Sequence, residues 1–257
     1  MSDSTRIRLL STSLIVGFFL LWEVLCILLN VSDLVLPRPS EIIATMWTRF
    51  PVLWPHILQT LSSTLIGFAL GVTIGVTLGV IVGTSKVAYA VAYPLLVGFS
   101  SIPKVAVVPI FVLWFGSGTT PAILTAMVIC VFPIVVNIAT GLATTEPELE
   151  DVLKTLGASK SEILWNVGLP RAMPYFFASL KVAITLSFVG AVLSETVASN
   201  MGIGFVMMTA SSNFQVSLVF SGLILLALMG VGLYAIFSLL ERRVTGWATR
   251  GNDIAIT

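Results

Sequence analysis

Long apolar runs separated by short polar connections dominate the chain. Six runs cover approximately residues 9–29, 57–83, 87–115, 119–143, 173–194 and 217–240. A helix needs about 20 apolar residues to cross the hydrocarbon core of a bilayer, and each run reaches that length. A transmembrane barrel would instead show short segments of alternating hydrophobicity, which the chain lacks. The pattern therefore predicts an all-α polytopic membrane protein with about six transmembrane helices.

Prolines and polar residues near the run ends refine this prediction. The third run contains Pro94, Pro103 and Pro109, and because proline removes a backbone donor we expect this run to kink or break. The first run is long for a cleavable signal peptide and has no small-residue cleavage site, so we expect it to be retained as a span. Between the first two runs, Ser40 is expected to cap a short surface helix that ends before Pro51.

A ridge of glycines runs along the second span. Gly67, Gly71, Gly75, Gly79 and Gly83 recur at every fourth residue, which places them on one side of a helix. Small residues at this spacing let a neighbouring helix approach closely in lipid. The ridge predicts a tight packing seam, and a surface along which helices slide during a functional cycle is the alternative interpretation.

Composition agrees with a membrane location, and the basic residues orient the chain. It is 57% hydrophobic and 10% charged, with a mean hydropathy of +1.05, whereas about a quarter of residues are charged in soluble domains. The net charge of +1, without a basic tract, does not indicate nucleic-acid binding. Cytoplasmic loops carry an excess of Lys and Arg, so we expect both termini in the cytoplasm. The inner basic residues are then Arg6, Arg8, Lys86, Lys154, Lys160, Arg171, Arg242, Arg243 and Arg250, against Arg38 and Arg49 outside.

Charge is concentrated in residues 145–171, TEPELEDVLKTLGASKSEILWNVGLPR, which hold eight of the 25 charged residues (13 basic and 12 acidic). Thr145 with Glu148 has the spacing of a capping box, in which each residue satisfies a backbone donor at a helix start. Gly157 lies where a left-handed C-terminal cap is expected. The stretch therefore predicts two short cytoplasmic helices around a glycine corner.

The second of these helices has its own start and stop signals. Ser159 with Glu162 repeats the capping-box spacing, and Gly168-Leu169-Pro170 is expected to end the helix. Both helices are expected to turn an apolar face toward the bundle. Such a hairpin is either a solvated connector or a docking surface for a soluble partner, and two capping boxes favour docking. The apolar faces comprise Leu149, Val152, Leu153 and Leu156, then Ile163, Leu164 and Val167.

This stretch resembles the signature loop of binding-protein-dependent ABC importer permeases, E-A-A-x3-G-x9-I-x-L-P. Asp replaces Glu and two bulkier residues replace the alanines, while the spacing is kept. Four further segments are similar in order and spacing to the nitrate/sulfonate/taurine branch of that family: LVLPRPSEII, TLSSTLIGFALGVTIGVTLGVIVG, VVPIFVLWFGSG and SETVASNMGIGF. The matching loop positions are Asp151, Val152 and Leu153 for E-A-A, then Gly157, Val167, Leu169 and Pro170.

The resemblance implies a type I ABC importer permease fold, with residues 1–257 as one permease domain in a bacterial plasma (inner) membrane. It implies two ABC ATPase subunits, a second permease copy in a homodimer, and an extracytoplasmic solute-binding protein. ATP and Mg would bind the partner ATPase, and this chain contains no G-x-x-x-x-G-K-[ST] motif. The implied ATPase-coupling residues are Glu150, Asp151, Lys154, Thr155, Gly157, Ala158, Ser159, Lys160, Leu169 and Pro170.

Ionisable and amide side chains within spans are candidates for a translocation pathway, since they are costly in lipid. Lys104 follows a predicted helix break and could attract an anionic solute, or pair with Glu195 or a partner subunit. Glu195 ends the fifth span and is a pathway candidate or an interfacial residue satisfied by water or backbone. Asn137, like Asn200, either faces a path or joins helices. Lys181 is expected to snorkel to the interface.

Other chemistry finds little support in the sequence. Glu23 is expected to be a packing or interface residue, and His56, the single histidine, cannot form a metal site or a catalytic triad alone. Cys26 and Cys130 lie in apolar runs and are expected to act as small buried hydrophobes. A secondary transporter driven by an ion gradient is the main alternative, although no inverted repeat is visible. A third class, an intramembrane enzyme, is disfavoured because the sequence shows no arrangement of catalytic groups.

The cargo stays open. The resemblance leaves nitrate, taurine, alkanesulfonates, aromatic acids and pyrimidine vitamin precursors as candidates, because selectivity in such importers resides mainly in the binding protein. The expected function is therefore that of a permease subunit that passes a small solute into the cytoplasm and does not itself catalyse a reaction.

Overall fold

The structure, a computed structural model, describes residues 3–143, 152–153 and 155–249, and this part of the chain is helical without strands. Six segments precede the hairpin: α1 (Asp3–Leu28), α2 (Pro39–Thr48), α3 (Phe50–Gly83), α4 (Lys86–Ser101), α5 (Val108–Phe115) and α6 (Thr119–Ala143). A short 3₁₀ turn, Lys104–Val107, precedes α5. The hairpin and the rest contain α7 (Lys160–Ile163), α8 (Leu169–Ala198), α9 (Ile203–Ser212) and α10 (Val216–Thr249).

The predicted number of spans is confirmed if one bent pair is counted as a single crossing. Within the described residues, five stretches are long and apolar enough to cross a membrane: Leu9–Leu28, Phe50–Gly83, Thr119–Leu142, Ser161–Ser212 and Val216–Val244. The third predicted run forms Val87–Ser101 and Lys104–Phe115, which meet at an angle of 79°. The predicted break therefore falls next to Pro103, whereas Pro94 lies inside α4 and Pro109 occupies the first turn of α5, where its missing donor is harmless.

The centre of the molecule is the packing of α3, α6 and α8. Side chains from all three helices form the main buried cluster, with Phe68 from α3, Ile134 from α6 and Ile184 from α8 among its members. α10 packs on this core through residues such as Leu233. The core therefore consists of the second, fourth and fifth predicted spans, and the outward faces of α1 and α10 are largely exposed.

The glycine ridge forms the predicted packing seam. Its residues face α6, where Ala126 and Cys130 lie opposite Gly67 and Gly71. A methyl group added at Gly67 would lie 2.5 Å from the Ala126 Cβ, and one added at Gly71 would overlap the Cys130 sulfur. Any side chain on the ridge would therefore force α3 and α6 apart. Further along, the ridge meets Ile134, Ile138, Ala139 and Leu142.

The segment before α3 differs from the prediction in one respect. α2 ends at Thr48, before Pro51 as expected, but Arg38 precedes its first residue and Ser40 lies inside its first turn. Ser40 therefore does not cap the helix, so that prediction is wrong. Glu23 of α1 instead accepts hydrogen bonds from the Ser40 amide (3.0 Å) and hydroxyl (2.8 Å), because a carboxylate is favourable at a helix N-terminus. This confirms Glu23 as an interface residue, joining α1 to α2.

The predicted end of the second hairpin helix at residues 168–170 is wrong. α7 continues through a π-type turn, Leu164–Gly168, directly into α8. Pro170 falls in the first turn of α8, directly after the π-type turn. The second hairpin helix and the fifth span are therefore one continuous helical element with a local widening.

Candidate functional site

The glycine corner of the predicted hairpin has the expected left-handed cap. Gly157 has φ +84°, a conformation that glycine adopts without steric cost. The Ala158 amide donates to the Leu153 carbonyl at 3.0 Å, which is the long-range bond of a Schellman motif. Among the residues that the structure describes, none places a heavy atom within 4 Å of the position that a Gly157 Cβ would take. The corner is therefore fixed by its own backbone and open on its outer side.

The predicted second capping box is also present. The Ser159 amide donates to the Glu162 carboxylate at 2.8 Å, and the Glu162 amide donates to the Ser159 hydroxyl at 3.3 Å. The Ser159 hydroxyl adds a 2.7 Å bond to the same carboxylate. This reciprocal arrangement satisfies the first free amides of α7, so the chain leaves the glycine corner in a defined direction.

The apolar faces of the hairpin behave differently from one another. The second face turns inward as expected, with Ile163 only 7% exposed. The first face does not turn to the bundle: Val152 is 56% and Leu156 77% exposed. That part of the prediction is wrong for these two residues, whereas Leu153 is half-buried and Leu149 lies outside the described residues. The corner therefore presents large apolar side chains together with exposed polar ones.

Of the remaining coupling candidates, those that the structure describes lie at this corner or in the helices that follow it. Thr155 and Ser159 are exposed, and Ala158 is half-buried. Lys160 begins α7, and Leu169 and Pro170 begin α8. The structure brings the corner residues together, and it separates Leu169 and Pro170 from them by α7 and the π-type turn. Glu150, Asp151, Lys154 and the capping pair Thr145 and Glu148 lie outside the described residues.

Lys104 stands at the bend between α4 and α5. Its ammonium donates to the carbonyls of Phe99 (3.4 Å) and Ser100, which belong to the last turn of α4. A cation at this place satisfies free carbonyls and is favoured by the helix dipole. Lys104 is thus held by backbone and not by Glu195. A role in cargo passage stays a prediction.

Glu195 lies in the protein interior at the end of α8, with 2% exposure. One carboxylate oxygen, Oε2, accepts from the Thr60 hydroxyl at 2.8 Å and from the Gly204 amide at 3.1 Å. Oε1 is buried without a hydrogen-bond partner. The expected backbone partner is present, and the enclosed position differs from the expected interfacial one. A role of Glu195 in the translocation pathway stays a prediction.

Two further intramembrane polar groups have partners within the protein. The amide nitrogen of Asn137 donates to the carbonyl of Pro133 in its own helix at 2.8 Å, so this bond does not join two helices. Lys181 forms an ion pair of 2.5 Å with Glu241 of α10. That its side chain snorkels to the membrane interface stays a prediction. The Lys181–Glu241 pair was not foreseen, because nothing in the sequence indicates the register between α8 and α10.

The partners of the SETVASNMGIGF segment were not predicted from the sequence. His56 and Thr60, on one face of α3, accept hydrogen bonds from the backbone of Gly202 (3.1 Å) and Ile203 (2.9 Å). Their four-residue spacing is the one local signal, and it is shared by many pairs that make no such contact. The contact itself depends on residues more than 140 positions apart.

The helical architecture defines a polytopic membrane protein of the type I ABC importer permease fold. A solved structure titled "Inward facing conformations of the MetNI methionine ABC transporter" contains a chain with this fold, at a TM-score of 0.61 and 20% identity, covering 79% of this chain and 98% of that one.

The chain belongs to the family of binding-protein-dependent transport system inner membrane components, whose family model matches residues 71–246. It is therefore an integral inner-membrane permease subunit of an ABC importer, as the resemblance implied, and the family implies ATPase and binding-protein partners.

Curated relatives span most of the chain. A probable ABC transporter permease protein of Haemophilus influenzae is 34% identical and covers 89% of this chain and 94% of its own. A riboflavin transport system permease of Chloroflexus aurantiacus is 36% identical, with 88% and 85% covered. A formylaminopyrimidine transport permease of Halalkalibacterium halodurans is 29% identical, with 90% and 94% covered. Relatives from Escherichia coli named for taurine and aliphatic sulfonates are 25% and 30% identical, in agreement with the predicted branch.

Proposed function

We propose that this permease passes a small solute from an extracytoplasmic binding protein into the cytoplasm, and that a separate ATPase drives it by holding the corner at residues 152–163. The observation that supports this proposal is the combination of rigidity and exposure at that corner. The Schellman motif and the capping box fix its backbone, while Leu156 is 77% exposed. Exposed apolar side chains on a rigid support are typical of contact with another protein.

Continuity with the core gives the corner a mechanical role. α7 runs into α8 without a break, and α8 contributes Leu180, Ile184 and Phe188 to the central cluster. Because protein interiors are close-packed, a displacement at one end of such an element moves the side chains packed around it. In the proposed cycle, closure of the ATPase on ATP moves the corner, and α8 transmits this motion to α3 and α6. Magnesium and ATP act on the ATPase and not on this chain.

The orientation follows from charge and from the alternation of spans. With the basic segments inside, both termini and the corner lie in the cytoplasm. The connection between α1 and α2 and the connection between α9 and α10 then lie outside, where a binding protein delivers its cargo. We further propose that two copies of this chain, each a single permease domain over residues 1–257, form the transporter with two ATPase subunits.

The cargo is proposed as a small anion or a small polar heterocycle. Relatives named for riboflavin and formylaminopyrimidine support the heterocycle, and those named for taurine and sulfonates support the anion. Lys104 is the candidate that favours an anion, since it is a cation at a helix bend. Binding measurements with the cognate binding protein decide between the two classes.

Leu156→Asp tests the proposed corner. We expect this change to reduce co-purification of the cognate ATPase and to lower ATP-driven uptake in proteoliposomes at least about tenfold, because a charge would be buried in the contact. The matched control is Leu34→Asp, since Leu34 is 66% exposed in the connection between α1 and α2. The control should retain the ATPase. Unchanged ATPase retention in Leu156→Asp, or uptake driven by an ion gradient without the ATPase, would contradict the proposal.

A further inference from the structure

The start of α9 is held by side chains from two other helices. Three consecutive amides are engaged: Gly202 donates to Nδ1 of His56, Ile203 to the Thr60 hydroxyl, and Gly204 to the Glu195 carboxylate. Thr60 also donates its own proton to Glu195, so the acceptors are themselves connected. We name these three side chains and three amides the α9 clasp. It replaces a local N-cap, which α9 lacks.

Glycine at two positions lets the clasp close. Gly202 has φ +104°, and a Cβ there would overlap the carboxyl carbon of Glu195. A Cβ on Gly204 would lie 2.7 Å from the Val192 carbonyl oxygen and 2.8 Å from the Glu195 Cβ. Both distances are too short for real atoms. The absence of side chains at Gly202 and Gly204 therefore allows the Glu195 carboxylate to reach the backbone of α9.

Burial makes the clasp difficult to open. Thr60 is fully buried and Glu195 is 2% exposed. Separating α9 from α3 would leave several donors, and a carboxylate with one oxygen already unpartnered, without hydrogen bonds in the interior. Such groups are far more costly unpaired than paired. Movement of the surrounding helices as one body avoids this cost.

The apolar side of α9 adds to the attachment. Ile203 and Val206 pack with Leu53 of α3 and Leu225 of α10 in a second buried cluster. The opposite side of the helix, which includes Thr209 and Ser212, is exposed. With ten residues, α9 is about 15 Å long, which is too short to cross a bilayer. It is a short element fixed at its start, and its exposed side carries Met208 beside Thr209 and Ser212.

We propose that the α9 clasp makes α9 move as one body with α3 and α8 during the transport cycle, with Glu195 and Thr60 as positioning residues for transport. ATPase-driven motion of α8 then reaches α9 without slip. This inference rests on the proposed function and extends it, because α9 becomes a further element that moves with α8. Glu195 acts through the backbone of α9 and does not contact the cargo.

Hydrogen exchange at residues 200–206 tests the proposal directly. The measurement uses the intact transporter with its ATPase, without nucleotide and then trapped with ATP and vanadate. We expect equal, strong protection of the peptide in both states, because the clasp stays closed while the helices move. Weak protection of this peptide in either state, or faster exchange in one state than in the other, would show that the clasp opens and would overturn the proposal. This readout does not depend on where the ATPase docks.

Thr60→Val supplies the functional arm, with Thr60→Ser as its rescue. Loss of the hydroxyl should make the 200–206 peptide exchange about tenfold faster and should reduce solute transported per ATP hydrolysed, while the ATPase stays bound. Thr125→Val is the matched control, since Thr125 is equally buried but donates only to its own helix, at the Pro121 carbonyl. Equal transport per ATP in Thr60→Val and Thr125→Val would overturn the positioning role. If Thr60→Val does not fold, the exchange comparison on the wild type still decides.

Discussion

The glycine corner and the α9 clasp solve the same structural problem in opposite ways. Both hold the start of a helix beside a glycine with positive φ. The corner does so with neighbours in sequence, Ser159 and Glu162, and is exposed to solvent. The clasp does so with His56 and Thr60 of a distant helix and is buried. The local arrangement leaves a surface free for a partner, whereas the distant one fixes elements to each other.

Gly202→Ala is expected to have the largest effect on this contrast. The added methyl group would overlap Glu195, and the residue would also keep an unfavourable φ. Overlap with a buried neighbour and backbone strain together destabilise by roughly 3 kcal/mol or more. Thermal unfolding of the purified transporter should show a large decrease in Tm, with low expression. A Tm within a degree of wild type would mean that the clasp is looser than its geometry indicates.

Glu195→Leu is expected to have the next largest effect. It removes the acceptor for the Thr60 hydroxyl and the Gly204 amide, which stay buried, at a cost of roughly 2–3 kcal/mol. Glu162→Leu, on the exposed side of the comparison, should cost only about 1 kcal/mol, since water can replace the lost partner. Thermal unfolding of both variants measures the difference. Equal losses of stability would contradict the assignment of one carboxylate to the interior and the other to the surface.

Gly157→Ala, like Glu162→Leu, is expected to have only a small effect on stability. Its φ of +84° costs an alanine about 1 kcal/mol, but no neighbour in the described part of the chain obstructs the methyl group. The variant should keep its Tm within a few degrees and retain the ATPase in co-purification. The comparison with Gly202→Ala separates backbone strain, which both share, from overlap, which only Gly202 has. A loss as large as that of Gly202→Ala would indicate that the corner is packed more closely than described.

Local chemistry explains which features of the fold could be predicted from sequence. The spans follow from apolar length, the bend from Pro103, and the corner from Gly157 and the spacing of Ser159 and Glu162. Each signal lies within a few residues of the structure it predicts. The same reasoning failed at Ser40 and at Pro170. Serine is found both at the N-cap and within the first turn of a helix, and proline both after a helix end and in a first turn, and the sequence does not distinguish these positions.

Long-range register explains what could not be predicted. The glycine ridge indicates that some helix packs on α3, but not that Ala126 and Cys130 of α6 lie opposite. Glu195 could be recognised as unusual within an apolar span, yet its partner Thr60 is 135 positions away in sequence. The pairing of Lys181 with Glu241 likewise depends on how α8 and α10 are packed. Such contacts are determined by the assembled bundle and have no signature in either segment alone.

The bend next to Pro103 gives Lys104 partners that carry no net charge. Its ammonium contacts main-chain carbonyls at the end of α4, so among the described residues dipoles and not an anion stabilise it. The Lys181 ammonium has an anion as its partner, the carboxylate of Glu241. The two lysines therefore differ in what they leave behind: an uncompensated positive charge at the bend, and a compensated one between α8 and α10.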